Sequence, residues 1–353
     1  MMGIPAHHNN FTALRIVAAL LVLGSHCWPL TGRGLGWIEQ LSNAQMNGGY
    51  LGVSMFFAIS GYLVTESYLR RQDALRFIEA RALRIFPGLA ICLGYCVIVG
   101  AIVTTLATPD YWSHNQTWNF FWRNLVLDLQ NGLPGVFDRN PFGNAVNGSL
   151  WTLPGEWVLY CMIAVLGVSG VLRHPSAAAA VMVVLIAVLF EHPAFTEGPL
   201  FRMPGVFSRS MMAFLLGVLL QLSRDRIAWC WQWAAILVVA ACLVSPKHPA
   251  SPLLIALAIT YSTLWLALTP ALPLQSAERW GDPSYGIYVY AFPTQQLGVH
   301  LLPDIGPQQL FWLTAPMVVL IGYLSWWAVE QPALTHKGKF VSQLHRLLRT
   351  RRP

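Results

Sequence analysis

Arg15 and His26 lie 11 positions apart in one apolar stretch, 11–30. On a helix that separation brings both within roughly 20° of the same face and about 16.5 Å apart along the axis. An ionisable side chain at bilayer depth costs roughly 2.5–3.5 kcal/mol on insertion scales, so each one asks for a reason. A histidine titrates near neutrality and is suited to taking a proton. The plainer reading is a histidine bonded to a neighbouring helix, with Arg15 reaching for the interface. A carboxylate, Glu156, follows Asn147-Gly-Ser-Leu-Trp-Thr-Leu-Pro-Gly at a depth compatible with His26. It can orient or charge-balance the imidazole, bind a sugar hydroxyl, or complement a helix N-terminus. Arg81 and Arg84, at i and i+3, share one side of any helix they occupy. Together they make an anion site suited to phosphates, unless they only mark membrane orientation. Ser60-Gly61 reads as a close helix-packing site, and Asp282 and Glu330, near helix ends, are given no catalytic role.

The elements that must hold these residues are membrane helices. Of 353 residues 55% are hydrophobic and 10% charged, whereas a soluble domain carries about 25% charged residues. The apolar residues fall in blocks long enough to cross a bilayer core. Spans are expected near 11–30, 50–69, 86–107, 149–171, 176–191, 205–222, 228–245, 251–269, 283–302 and 308–330. The expected fold is an all-α polytopic bundle of about ten transmembrane helices. The first span is not expected to be a cleaved signal peptide, because no Lys or Arg precedes it and Arg15 lies inside it. Basic residues concentrate on one face: five arginines from Arg70 to Arg84, then Arg173, Arg224, Arg226 and Arg279, and six basic residues from Lys337 to Arg352. That face should be cytoplasmic and should carry both termini. The net charge of +7 follows this topology and suits anionic lipid, so no nucleic-acid partner is expected.

One transmembrane domain over 1–334 and a short basic cytoplasmic tail over 335–353 are expected. No repeat of 20–50 residues recurs, unlike many transporters. The long connection 108–148 is rich in Trp, Phe and Asn, and Trp118-Asn-Phe-Phe-Trp reads as an interfacial or re-entrant helix. The six cysteines fall in or beside spans and are assigned to packing. The histidines show neither HxxxH nor HExxH spacing, so no metal is expected.

With these features the chain resembles the bacterial acyltransferase family 3, transmembrane O-acyltransferases that modify surface and exported glycans. The resemblance rests on Asn9-Asn-Phe-Thr-Ala-Leu-Arg15 with His26, on Gly52-Val-Ser-Met-Phe-Phe-Ala-Ile-Ser-Gly-Tyr, and on Arg81-Ala-Leu-Arg84-Ile-Phe-Pro. Further on come Gly148-Ser-Leu-Trp-Thr-Leu with Glu156, Ser284-Tyr-Gly-Ile-Tyr-Val-Tyr, and Val329-Glu-Gln-Pro. It implies transfer of an acyl group, acetyl by preference, from acyl-CoA to a saccharide or lipid-linked glycan, in a bacterial inner membrane and with no permanently bound cofactor. It also implies activity roles for Arg15, His26, Arg81 and Arg84. On this reading Arg15, Arg81 and Arg84 hold the donor phosphates, and the pantetheine arm runs along the first helix towards His26, which acts as general base on a saccharide hydroxyl or transiently accepts the acyl group. Ala291 stands where many relatives have His, and the soluble esterase-like domain of many relatives is not seen. A transporter or flippase for a lipid-linked glycan is the alternative, with the arginines gripping a pyrophosphate.

Overall fold

The computed structural model describes residues 9–42, 45–197, 207–269, 273–339 and 341–343, so Arg202 and the tail from 344 onward lie outside the described residues. Every described residue in regular structure is helical. The chain opens with α1 (Phe11–Thr31), the five-residue α2 (Trp37–Leu41), α3 (Gly48–Arg71) and the 30-residue α4 (Ala74–Val103). The long connection contains α5 (Thr108–Ser113) and α6 (Asn115–Leu125). A 3-10 turn at Gly148–Thr152 leads into α7 (Leu153–Val168), followed by α8 (Pro175–Glu191), α9 (Phe207–Leu222), α10 (Trp231–Leu243) and α11 (Ser251–Leu268). Last come α12 (Ser284–Leu301) and α13 (Pro307–Ser325), which runs through a π-turn at Trp326–Glu330 into α14 (Gln331–Thr335).

Each of the ten stretches expected to span overlaps a helix among the described residues, with 205 and 206 outside them. Six of those helices are long and apolar enough to cross a membrane by themselves: α1, α3, α4, α7 with its leading turn, α11, and α13 with its continuation to Thr335. The helices α8, α9 and α10 are apolar but shorter. The 18-residue α12 carries Tyr285, Tyr288, Tyr290, Gln295 and Gln296, all buried in the protein, so it is polar where it meets other helices.

The helix α4 starts 12 residues before the apolar window that announces it, so Arg76, Arg81 and Arg84 belong to one continuous helix. Asp73 caps its start through a 3.0 Å bond from the Arg76 backbone amide. The α3–α9 crossing is made by glycine: a Cβ on Gly61 would lie 2.1 Å from the Phe214 carbonyl oxygen, the close approach that small residues permit. The Trp118 segment forms the amphipathic α6, with Phe120 and Asn124 buried and Trp118 and Trp122 exposed.

Candidate functional site

Two helices, α1 and α4, the π-turn after α13 and the link before α12 bring charged residues together at the Arg15 end of α1. Arg15 Nη1 lies 3.0 Å from Asp282 Oδ2, and Arg84 Nη2 lies 2.7 Å from that same oxygen. Arg84 Nη1 is 3.3 Å from Glu330 Oε2, and the Glu330 side chain is fully buried. Asp282 is set by Gly281, whose φ of +91° and contact with Trp326 leave no room for a Cβ. The second Asp282 oxygen accepts from the Ser284 backbone amide at 3.3 Å and from its hydroxyl. Burial works against its ionisation, but Arg84, Arg15 and the Ser284 bonds outweigh it and bring the carboxyl from 3.8 to about 2. Glu330 is turned toward Arg84 by the π-turn and accepts a 3.0 Å bond from the Ser325 hydroxyl. Such turns recur at functional sites because the extra residue re-aims side chains.

Arg81 stands apart from this matched set. Its guanidinium lies 5.9 Å from the Phe77 ring centroid and 5.8 Å from that of Tyr160, and its buried Nε has no hydrogen-bond partner among the described residues. Lys337, half-buried nearby, is pushed down from 10.5 to about 8 by burial and then by the charges of Arg81, Arg71 and Arg70. At this end of the bundle Arg15 and Arg84 are ion-paired, whereas Arg81 has no ion-pair partner among the described residues.

Glu156 completes this cavity. Its carboxylate accepts a hydrogen bond from the Tyr160 hydroxyl, one turn on in α7, and that hydroxyl also bonds Ser60 Oγ at 3.0 Å. Arg15, Arg81, Arg84, Glu156, Tyr160 and Ser60 line one space of about 90 Å³.

His26 lines a second cavity, of about 250 Å³, with Ser25, Glu39, Asn47, Tyr50 and Ser210. Its ring packs edge-on against Phe292 at 5.2 Å, and its buried Nδ1 has no hydrogen-bond partner among the described residues. Val53 and Tyr288 line both cavities and so form the wall between them. Tyr288 is held there by its hydroxyl, which donates to the Ser149 carbonyl at 2.8 Å and lies 2.8 Å from Thr152 Oγ1.

Arg15, Arg81, Arg84 and Glu156 thus meet in one space, while His26 occupies the next. The carboxylate sharing the His26 cavity is Glu39, on α2 in the segment linking α1 and α3. Sequence reasoning singled out neither Glu39 nor the ion-pairing of Asp282 and Glu330. The available signals were Asp282 directly after a glycine and before Pro-Ser, and Glu330 in the Val-Glu-Gln-Pro motif. Ser60, read as a packing residue, bonds Tyr160 while its neighbour Gly61 makes the α9 contact.

Comparison with known proteins identifies a family over nearly the whole chain. A family model described as an acyltransferase domain, of the acyltransferase 3 type, matches residues 8–330. The chain is similar to an O-acetyl transferase of Shigella phage Sf6, 26% identical over 345 residues covering 95% of this chain and 98% of that one. It is also similar to Nodulation protein 10 of Rhizobium leguminosarum bv. viciae, 28% identical over 377 residues covering 96% of each. No solved structure gives a significant match.

Proposed function

The chain belongs to the acyltransferase 3 family and is an acyltransferase, and from that premise we propose that it is a ten-span inner-membrane enzyme moving an acetyl group from acetyl-CoA to a saccharide hydroxyl. In this reading both termini are cytoplasmic and the Arg15 end of α1 faces the donor. The observation that carries it is the pair of cavities divided by Val53 and Tyr288, one lined by three arginines and the other by His26.

The anionic end of the donor is held at the arginine cavity. Arg81, without a carboxylate partner among the described residues, supplies the first charge-assisted bonds, and Arg15 and Arg84, fixed by Asp282, present their remaining N–H donors. The thioester reaches past Tyr288. On the far side His26 takes the proton of the acceptor hydroxyl, whose oxygen attacks the thioester carbonyl carbon. The C–O bond forms, the C–S bond breaks, and the proton passes to the departing thiolate. Glu156 and Tyr160 hold the donor side of the wall in register.

Purified protein in nanodiscs, given acetyl-CoA and a cell-envelope glycan extract, should release free thiol only when both are present. Silence with both, together with passage of labelled lipid-linked glycan across the bilayer, would replace the transferase by a flippase.

A further inference from the structure

A recess of about 670 Å³ lies between the end of α3, the start of α8 and the end of α9, and shares no lining residue with the Arg81 or His26 cavities. Leu69, Leu172 and Leu222 supply its apolar lining, and Arg70, Arg173 and Arg224 its positive charge. Arg224 is shared between Glu66 at 3.5 Å and Asp225 at 3.8 Å, whereas Arg70 and Arg173 have no ion-pair partner among the described residues. Three guanidinium groups against two carboxylates leave one positive charge, the match of a single phosphodiester. One further group is unmet: Gln221 lines the recess, is only 4% exposed, and its Oε1 has no hydrogen-bond partner among the described residues. A buried acceptor left unpaired is costly, so the recess calls for a donor beside its anion. The helix α8 stands at the outside of the bundle, with Val183 and Val184 exposed, where apolar side chains meet lipid.

We propose that this recess binds the headgroup of one anionic phospholipid, its phosphodiester on Arg70 and Arg173 and a headgroup hydroxyl donating to Gln221. Basic pockets between membrane helices on the positively charged side take such headgroups, and these arginines belong to the basic face of the bundle. A soluble phosphate ester offers the same two polar groups. The outer position of α8 and the leucines of the lining favour the lipid, whose acyl chains continue into the bilayer. The site does not depend on the acyl-transfer reading. It joins the ends of three helices, so its occupation should raise thermal stability by mass action.

The test follows thermal unfolding of the full chain in a neutral detergent during titration with three probes. These are short-chain phosphatidylglycerol, short-chain phosphatidylmethanol, which keeps the charge and lacks the hydroxyl, and glycerol 3-phosphate, which lacks the acyl chains. Phosphatidylglycerol should raise Tm at concentrations at least about tenfold below those the other two require. Arg173→Ala, at an exposed position where folding is not at stake, should weaken the phosphatidylglycerol response about tenfold or more. Gln221→Met should remove the preference for phosphatidylglycerol over phosphatidylmethanol while leaving the phosphatidylmethanol response in place. An unchanged phosphatidylglycerol response in Arg173→Ala would overturn the proposal. Equal responses to glycerol 3-phosphate and phosphatidylglycerol would overturn it too, because the recess would then be a site for soluble phosphate esters. Equal responses of the wild type to the two lipids would overturn the headgroup assignment at Gln221.

Discussion

Replacing Asp282 by Asn is the most informative single change on the donor side. Its Oδ2 is shared by Arg15 at 3.0 Å and Arg84 at 2.7 Å, and the three side chains are only 25%, 19% and 12% exposed for Arg15, Arg84 and Asp282. Removing one partner of a buried ion pair costs about 3–5 kcal/mol, because the remaining charge is left uncompensated. Here Arg84 keeps Glu330 at 3.3 Å and the amide oxygen can still accept one bond, which reduces the expected cost to about 2–4 kcal/mol. In detergent this should lower Tm by roughly 3–5 °C. The donor KM should rise more than about tenfold as the guanidinium groups lose their fixed orientation. The pH dependence has a definite sign. Asp282 titrates at about 2 in the folded protein against 3.8 ordinarily, so its stabilisation is present above about 4 and lost as pH falls through 2. The stability gap between wild type and variant should be flat from about pH 5 to 8 and narrow below about 4. A variant with wild-type Tm and donor KM at pH 7 would refute the ion-pair cluster as the scaffold of the site.

Arg81→Ala should do the reverse: Tm within about 1 °C of wild type, since no carboxylate is orphaned, but a donor KM raised about tenfold or more, read by isothermal titration with acetyl-CoA. Lys337 titrates at about 8 in the folded protein against 10.5 ordinarily, so stability should rise as pH climbs from about 8 towards 10.5, and Lys337→Met should remove that rise in thermal denaturation. Val53→Trp, which thickens the wall between the two cavities, should leave acetyl-CoA binding measurable while acetyl transfer falls about 100-fold or more. A wild-type transfer rate in that variant would place the path elsewhere.

The helices were legible because hydrophobic runs of membrane length have few alternatives once backbone groups must bond internally. The true start of α4 was not, because hydropathy sees only its apolar part and not the amphipathic turns that carry Arg76 and Arg81. Arg81 and Arg84 were visible as a pair, but their difference was not: Arg84 is tied to Asp282 and Glu330, which lie 198 and 246 residues away in sequence. Counting depth from helix ends put Glu156 level with His26. The fold turns Glu156 toward Tyr160 on the arginine side of Tyr288, because rotation about the α7 axis, unlike depth, is set by packing. Glu39 was passed over because it sits outside any apolar run, on a five-residue helix.

The central claim is that donor binding and proton transfer belong to separate cavities that meet at Tyr288, with His26 acting only in the second. The direct test is His26→Ala, assayed for acetyl-CoA affinity and for acetyl transfer to envelope glycan on one preparation. The predicted result is wild-type affinity with no transfer. Transfer at the wild-type rate, or loss of acetyl-CoA binding in place of transfer, would contradict it.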